Sequence, residues 1–216
     1  MIYVGRIVCV GATDDGRLYA GYRVSSRSFP NRHAVAKEDS VSIIPKPGHE
    51  SDVEKNPYIA YNCVRIVCEG AVAVVTNGSQ TDPIAEKIAA GMSPREALVL
   101  SLLALDYEHD DYNTPRICAV VDKGTESAWL GIVREDGLNV ARVALEPGHF
   151  RYVTTYEEND LDPDQGGTFS VSNAENACEF MLGGGVFAAR TNPITAVAVV
   201  AAPEGFDMAV KDAITA

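Results

Sequence analysis

The chain has 216 residues, 46% of them hydrophobic and 22% charged, which suits one large domain or two small ones with a real buried core. Its net charge of −12 excludes nucleic acid as an expected partner, because an acidic surface repels a phosphate backbone; an anionic ligand has to be met by a local cluster of cations. No apolar run reaches the roughly 18 residues that suggest a membrane span, and the opening MIYVGRIVCVGATDDG, with Arg6 inside its apolar run and no cleavage site, reads as the first strand of a cytoplasmic protein.

Residues 2–10 predict a buried strand, Asp15-Gly16 a hairpin turn, and residues 18–24 the returning strand. The polar, proline-containing stretch 25–32 predicts a loop. A short strand at 41–45 and a long loop at 45–57 follow. Strands at 58–68 and 71–76 are joined by Glu69-Gly70, and residues 77–83 read as a loop. Asp82 reads as the N-cap of a helix with Pro83 in its first position, and Ser93, Pro94 and Glu96 open a second helix with a capping box. The second helix is apolar on most faces, which predicts that it is sandwiched and not laid on a surface.

Strands at 114–121, 127–134, 138–145 and 151–156 come next, Asp136-Gly137 joining the second and third. Residues 157–170 form an acidic loop. Ser172 and Glu175 read as a further capping box, for a helix ending at Gly183-Gly184-Gly185, and strands at 194–202 and 206–210 close the chain. About ten strands in hairpin-joined runs, three helices and no βαβ alternation predict an α+β fold with mainly antiparallel sheets. Two sheets packed face to face, helices outside and one domain over residues 1–216 are the expectation.

Cys9, Cys63, Cys68, Cys118 and Cys178 are odd in number and scattered, so a disulfide framework is not expected. Cys63 and Cys68, five apart, fall on opposite faces of a strand, and the four histidines stand at no zinc-like interval. No metal is expected.

Four segments could carry chemistry. YRVSSRSFPNR gathers Arg23, Arg27 and Arg32 with Ser26, Ser28 and Asn31, a donor set suited to phosphate. NPYIAYN offers Tyr58, Tyr61 and Asn62, the last two on opposite strand faces. NGSQTD, with Asn77 and Asp82, lies between a strand and a helix N-terminus, where anions and ribose are well received. DYEHDDYNTPR, with Glu108 and Arg116, ends a very apolar helix; a carboxylate emerging there has cause for a raised pKa, which suits proton transfer. Each segment alone also has a bland reading as a solvated loop, a cap or a turn.

Read in order, YVGR, YRVSSRSFPNR, NPYIAYNC, NGSQTD, LLALDYEHD and NTPRI resemble the archaeal-type IMP cyclohydrolases over about residues 2–120. The resemblance implies the four-layer αββα arrangement of the N-terminal nucleophile hydrolases, with the site in a pocket between the sheets. It implies ring closure of formamidoimidazole-carboxamide ribonucleotide (FAICAR) to IMP and water, the last step of purine synthesis. That chemistry requires no cofactor, energy donor or metal. It does require positioning, a proton acceptor and a fixed cation at the formyl oxygen.

On this reading Glu108 accepts the proton and Arg32 polarises the formyl oxygen. Arg27 with Ser26 or Ser28 anchors the phosphate, and Arg116 fixes Glu108 or reaches the ligand. Tyr61, Asn62 and Asn77 orient base or ribose, and Asn31, Tyr58 and Asp82 complete the substrate-binding set. The partner is a small purine ribonucleotide, and a homo-oligomer is left open. Three rivals remain: an amide hydrolase of the same fold, a non-catalytic purine nucleotide binder, and a structural interaction module, which the polar clusters disfavour. The first needs a nucleophile as residue one, but Met1 precedes a bulky Ile2, and exposing Cys9 requires removal of eight residues.

Overall fold

Tight turns set the order of the strands. In the computed structural model, which describes residues 2–214, an exposed turn at residues 14–16 returns β1 (Ile7–Ala12) onto β2 (Leu18–Ser25), with Gly16 at φ +84°, a conformation that strains any residue with a side chain. β10 (His149–Thr154) pairs with the other edge of β1 and carries β11 (Gly166–Thr168), while β12 (Pro193–Ala202) pairs with β2 and carries β13 (Gly205–Asp212). These make a six-stranded sheet in the order β11-β10-β1-β2-β12-β13.

The second sheet is a meander: β3 (Arg32–Lys37), β4 (Ser40–Pro45), β5 (Tyr61–Val67), β6 (Val72–Thr76), β7 (Arg116–Asp122), β8 (Ser127–Arg134) and β9 (Gly137–Val143), seven strands in sequence order. Every ladder in both sheets is antiparallel. The helices are α1 (Asp52–Lys55), α2 (Thr81–Ala89), α3 (Pro94–Leu105) and α4 (Ala174–Gly183).

Alternation along the strands sends side chains into separate cores. Val8, Val10, Ala20, Tyr22 and Val24 of one sheet meet Val41, Val75, Ile117, Ala119 and Leu130 of the other in the middle of the molecule. Ile7, Cys9, Tyr19, Phe150 and Ala198 face outward instead, against Ala177, Cys178 and Met181 of α4. Val74, Cys118 and Val120 face outward on the second sheet, against Ile84, Ile88, Leu98 and Leu102 of α2 and α3. The fold is α+β, two antiparallel sheets face to face with helices against their outer faces.

Several boundaries differ from the sequence reading. The first strand begins at Ile7 and not at residue 2, because Gly5 adopts φ +72° and breaks the extended run. Residues 58–60 lie around a short 3-10 turn (Pro57–Ile59), capped by Asn56, whose side chain accepts a bond from the Tyr58 amide at 2.9 Å. The strand β3 was not expected; its half-exposed, weakly apolar sequence RHAVAK gives little strand signal but pairs along its length with β4. α2 starts at Thr81, so Asp82 lies inside its first turn and does not cap it. α4 is capped by Asn173, which accepts from the Asn176 amide at 2.8 Å, and not by a Ser172–Glu175 box.

The Ser93–Glu96 box forms as expected. α3 is not sandwiched: Ala97, Leu98 and Leu102 are buried, but Leu100, Leu103 and Leu105 are exposed, Leu103 to 69%.

Candidate active site

At one end of the molecule β1, β3, β5 and β7 begin and β2 and β10 finish. Residues that leave or enter strands there ring the end of the central core. They surround a cleft of about 530 Å³, mouth included, lined by Arg6, Ser26, Arg27, Ser28, Arg32, Tyr58, Glu108, Asp110 and Tyr156 among others.

Glu108 owes its place to the way α3 stops. Asp106 takes φ +56°, and its backbone amide still bonds the Leu102 carbonyl while its own carbonyl accepts from Arg116 Nε at 2.8 Å. The next residues curl into a closed loop: the Glu108 amide donates to the Thr114 carbonyl at 2.8 Å. Asp110 accepts from the Thr114 amide at 2.9 Å and from its hydroxyl at 2.8 Å. The loop drops Glu108 into the protein, where it is 1% exposed.

Two guanidiniums reach that carboxylate. Arg6 Nη2 donates to Oε2 at 2.9 Å, and Arg116 Nη1 stands 3.6 Å from Oε1. Oε1 is buried and has no hydrogen-bond partner among the described residues. Burial pushes the Glu108 carboxyl above its usual range; Arg6, Arg116 and Arg32 pull it back without cancelling the rise, and Asp110 adds to it. Burial would by itself lower the Arg6 pKa, but Glu108, Tyr22, Tyr61 and Tyr156 hold that guanidinium charged. The pair sits against a glycine: a Cβ on Gly78 would lie 3.0 Å from both Glu108 Oε1 and Arg116 Nη1, and 2.7 Å from Gln80 Oε1.

Arg32 leaves the Arg-Ser loop as the first residue of β3. Its Nε donates to the Phe29 carbonyl at 3.1 Å, and the Phe29 amide donates to Ser26 Oγ at 3.0 Å, so the loop is tied at both ends beside the cleft. Arg27 and Ser28 are exposed at the mouth, Arg27 lying 4.1 Å over the Tyr3 ring. Tyr58 also lines the cleft, with Arg116 5.6 Å over its ring.

Other residues named from the sequence have different neighbours. Tyr61 is buried with its hydroxyl 2.6 Å from that of Tyr22. Asn62 donates to the Asp82 carboxylate at 3.0 Å, and Arg65 donates to it at 2.7 Å, on the far face of β5. Asn77 is fully engaged by the protein: it donates to the Pro115 carbonyl and accepts from Gln80 and the Ile117 amide. Asn31, through its carbonyl, accepts from the Lys46 amide. Asn31, Tyr61, Asn62, Asn77 and Asp82 do not line the cleft, and neither does Arg116, which backs Glu108. Arg23 is buried behind the first sheet among carbonyls of α4 and the turn after it.

Sequence reasoning missed Arg6, Tyr3 and Tyr156. The signal for Arg6 was a charge inside an apolar strand, a placement that needs a partner. No cluster of three or more His, Cys, Asp or Glu side chains among the described residues is placed to hold a metal ion.

A buried carboxylate with guanidiniums on either side, opening on a cleft whose mouth is basic, is the equipment of an acid–base enzyme that handles an anionic small molecule. A family model described as IMP cyclohydrolase-like protein matches residues 3–205. The chain is 48% identical over 200 residues to an IMP cyclohydrolase of Methanosphaera stadtmanae, covering 91% of this chain and 93% of that one. It is 56% identical over 158 residues to that of Methanocella arvoryzae, covering 73% and 75%, and 39% identical over 211 residues to that of Methanocaldococcus jannaschii, covering 97% and 99%. The chain belongs to the IMP cyclohydrolase family.

Proposed function

We infer that the protein closes the purine ring, converting FAICAR into IMP and water, with Glu108 as the acid–base group and Arg32 as the cation at the reacting oxygen. The observation that carries this is the shared cleft: Arg32 and Glu108, 76 positions apart along the chain, both line it, in a chain of this family.

The carboxamide nitrogen attacks the formyl carbon and gives up a proton to Glu108. Charge that gathers on the former formyl oxygen is met by Arg32. The C–O bond then breaks. The water that leaves carries that oxygen, the proton taken by Glu108 and a second proton from the formamide nitrogen, which becomes the ring imine. Arg27, Ser26 and Ser28 at the mouth suit the phosphate, and Tyr58 the base. Asn31, Tyr61, Asn62, Asn77 and Asp82 are read as supports of the walls, given the partners described above.

The two antiparallel sheets with helices on their outer faces support the αββα arrangement of the N-terminal nucleophile hydrolases, as one domain over residues 1–216. The central core draws on both sheets, which favours a single unit. Among the described residues no helix is long and apolar enough to cross a membrane; we read the site of action as the cytoplasm.

The amide-hydrolase alternative is weakened by Cys9. Its thiol is 0% exposed, faces Tyr19 and Met181 on the α4 side, and is pushed up to about 12 by burial. Met1, on which that alternative also turns, lies outside the described residues. A non-catalytic binder would take up IMP tightly without turnover. Incubating the purified protein with FAICAR and no cofactor, and following IMP by absorbance, separates the readings.

The raised Glu108 pKa has a sign. The carboxylate is the working base, and it is protonated below its pKa, so kcat/KM, which follows the free enzyme, falls as pH falls, along a limb placed above the roughly 4.3 of an ordinary glutamate. A pH–rate profile checks this; full activity down to about pH 4.5 would remove Glu108 from the base role.

Gly78 gives a second test. Its backbone is not left-handed, so alanine brings no strain of its own. The added methyl instead pushes the movable ends of Glu108, Arg116 and Gln80. Gly78→Ala is expected to lower kcat by about ten- to a hundredfold and, because the displaced ends are buried and hydrogen-bonded, to cost about 1–3 kcal/mol of stability. Parental kcat would mean that the pair tolerates displacement.

A further inference from the structure

Of the motifs in the sequence, YVGR at residues 3–6 has no part in the mechanism above, although all four residues converge on the cleft or its wall. Tyr3 carries the Arg27 guanidinium and stacks on Tyr156, ring centroids 5.9 Å apart. Val4 is buried, and its carbonyl accepts from the Tyr156 amide. Gly5 is required by contact as well as by φ: a Cβ there would lie 2.1 Å from Thr155 Oγ1 and 2.7 Å from the Tyr156 ring. The Arg6 amide donates to Thr155 Oγ1 at 3.0 Å, which fixes the root of the side chain as it turns toward Glu108.

We propose that Arg6 is the positioning residue of the reaction: it grips Oε2 of Glu108, keeps that carboxylate ionised in a buried site, and leaves Oε1 as the oxygen that takes up the proton. The proposal rests on Glu108 being the acid–base group. Three observations favour Arg6 over the other cations near Glu108. Arg6 alone among the described residues makes a hydrogen-bonded ion pair with the carboxylate, at 2.9 Å. Arg116 stands farther away and spends its donors on the Asp106 carbonyl, Ser79 and Gln80. Arg32 is aimed by the Phe29 carbonyl and serves the substrate side.

A proton on Oε2 would confront the Arg6 N–H; a proton on Oε1 meets no donor bonded to that atom. Arg6 Nε is itself buried with no hydrogen-bond partner among the described residues, so the guanidinium is held by Glu108 and by its place among Tyr22, Tyr61 and Tyr156. The charged groups facing Glu108 are Arg6 ahead of β1, Arg32 on β3, Asp110 on its own loop and Arg116 on β7. Removing one of the three cations leaves burial and Asp110 less opposed.

The test reads the carboxyl directly. Carbon-13 NMR of glutamate-labelled, ligand-free protein follows the Glu108 carboxyl through a pH titration, Glu108→Gln assigning the resonance. In Arg6→Met the titration is expected to move up by about one pH unit or more, and in Arg6→Lys, which keeps the charge, by less than about half of that. The acidic limb of the IMP-forming rate moves in the same direction in Arg6→Met. Arg6→Gln keeps a donor without the charge and gives the same reading should the methionine variant fail to fold. A Glu108 titration unmoved by loss of the Arg6 charge, or a lysine shift as large as the methionine one, overturns the proposal. Absence of IMP formation by the parent protein would count against the function, and leaves the titration readable on its own.

Discussion

Glu108→Gln is expected to lower kcat by about 10²- to 10⁴-fold, the range that a positioned acid–base group contributes, with little change in KM. The substitution is nearly isosteric, and the site has room for it in a defined orientation. The amide oxygen can accept from Arg6 where Oε2 does now, and the amide nitrogen then occupies the place of Oε1. The loop does not depend on the carboxylate, since residue 108 is held through its backbone bridge to Thr114, and Asp110 makes the remaining closures. The variant should therefore fold and bind but not move a proton. Steady-state kinetics with FAICAR gives the answer, and a variant retaining more than about a tenth of parental kcat would assign the base elsewhere.

The largest effect on stability is expected at Arg23. It is 0% exposed, and no carboxylate among the described residues pairs with it. Its guanidinium donates to the carbonyls of Met181, Leu182, Phe187, Arg190 and Thr191, at distances from 2.7 to 3.4 Å, and its Nε to Ser25 Oγ. Met181 and Leu182 lie in the last turn of α4, whose carbonyls have no partner within the helix. Arg23 thus serves as a cap reaching up from the sheet, and it fastens α4, the only long helix on that face among the described residues. Burial and the neighbouring Arg190 charge lower its pKa to about 10, so it stays protonated at neutral pH and keeps all its donors. Arg23→Met fills much of the space but strands the carbonyls, each costing about 1–3 kcal/mol when buried. With some relaxation, a loss of about 3–5 kcal/mol is expected, a large part of a typical domain's stability. Urea unfolding measures it; a loss below about 1 kcal/mol would mean that the carbonyls find other donors.

Local chemistry was readable in the sequence where it is local. The Asp15-Gly16 turn, the Ser93–Glu96 box and the alternation of the central strands all depend on near neighbours and appear as expected, whereas the hairpin read at Asp136-Gly137 turns one residue earlier, on Glu135-Asp136, with Gly137 already in β9. Cap assignments failed where two candidates stood side by side: Asn173 competes with Ser172 for the same helix start, and only the path of the chain decides between them. β3 exists because β4 offers it an edge, which no property of RHAVAK announces. α3 looked sandwiched because hydrophobicity reports what a helix contains and not how many of its faces are covered.

The cleft was legible in part. Arg32 and Glu108 were named together through the family resemblance, since nothing in their spacing brings them together. Asn62, Asn77 and Asp82 carry the same polar atoms as a ligand site, yet in the fold those atoms bind the protein's own groups. Arg6 was visible as a charge among apolar residues, but its partner, 102 positions away, could not be read from the chain.

The cleft lies at one pole, whereas the turns at residues 14–16 and 124–126 lie at the other, where β1 and β7 end. Both turns are exposed, and Lys123 laces the second to the carbonyls of Ala202 and Gly205. A linker, a fluorophore or a surface tether installed at either turn would thus be screened from the nucleotide by the whole length of the strands. Immobilised that way, the protein would present its cleft outward to solution.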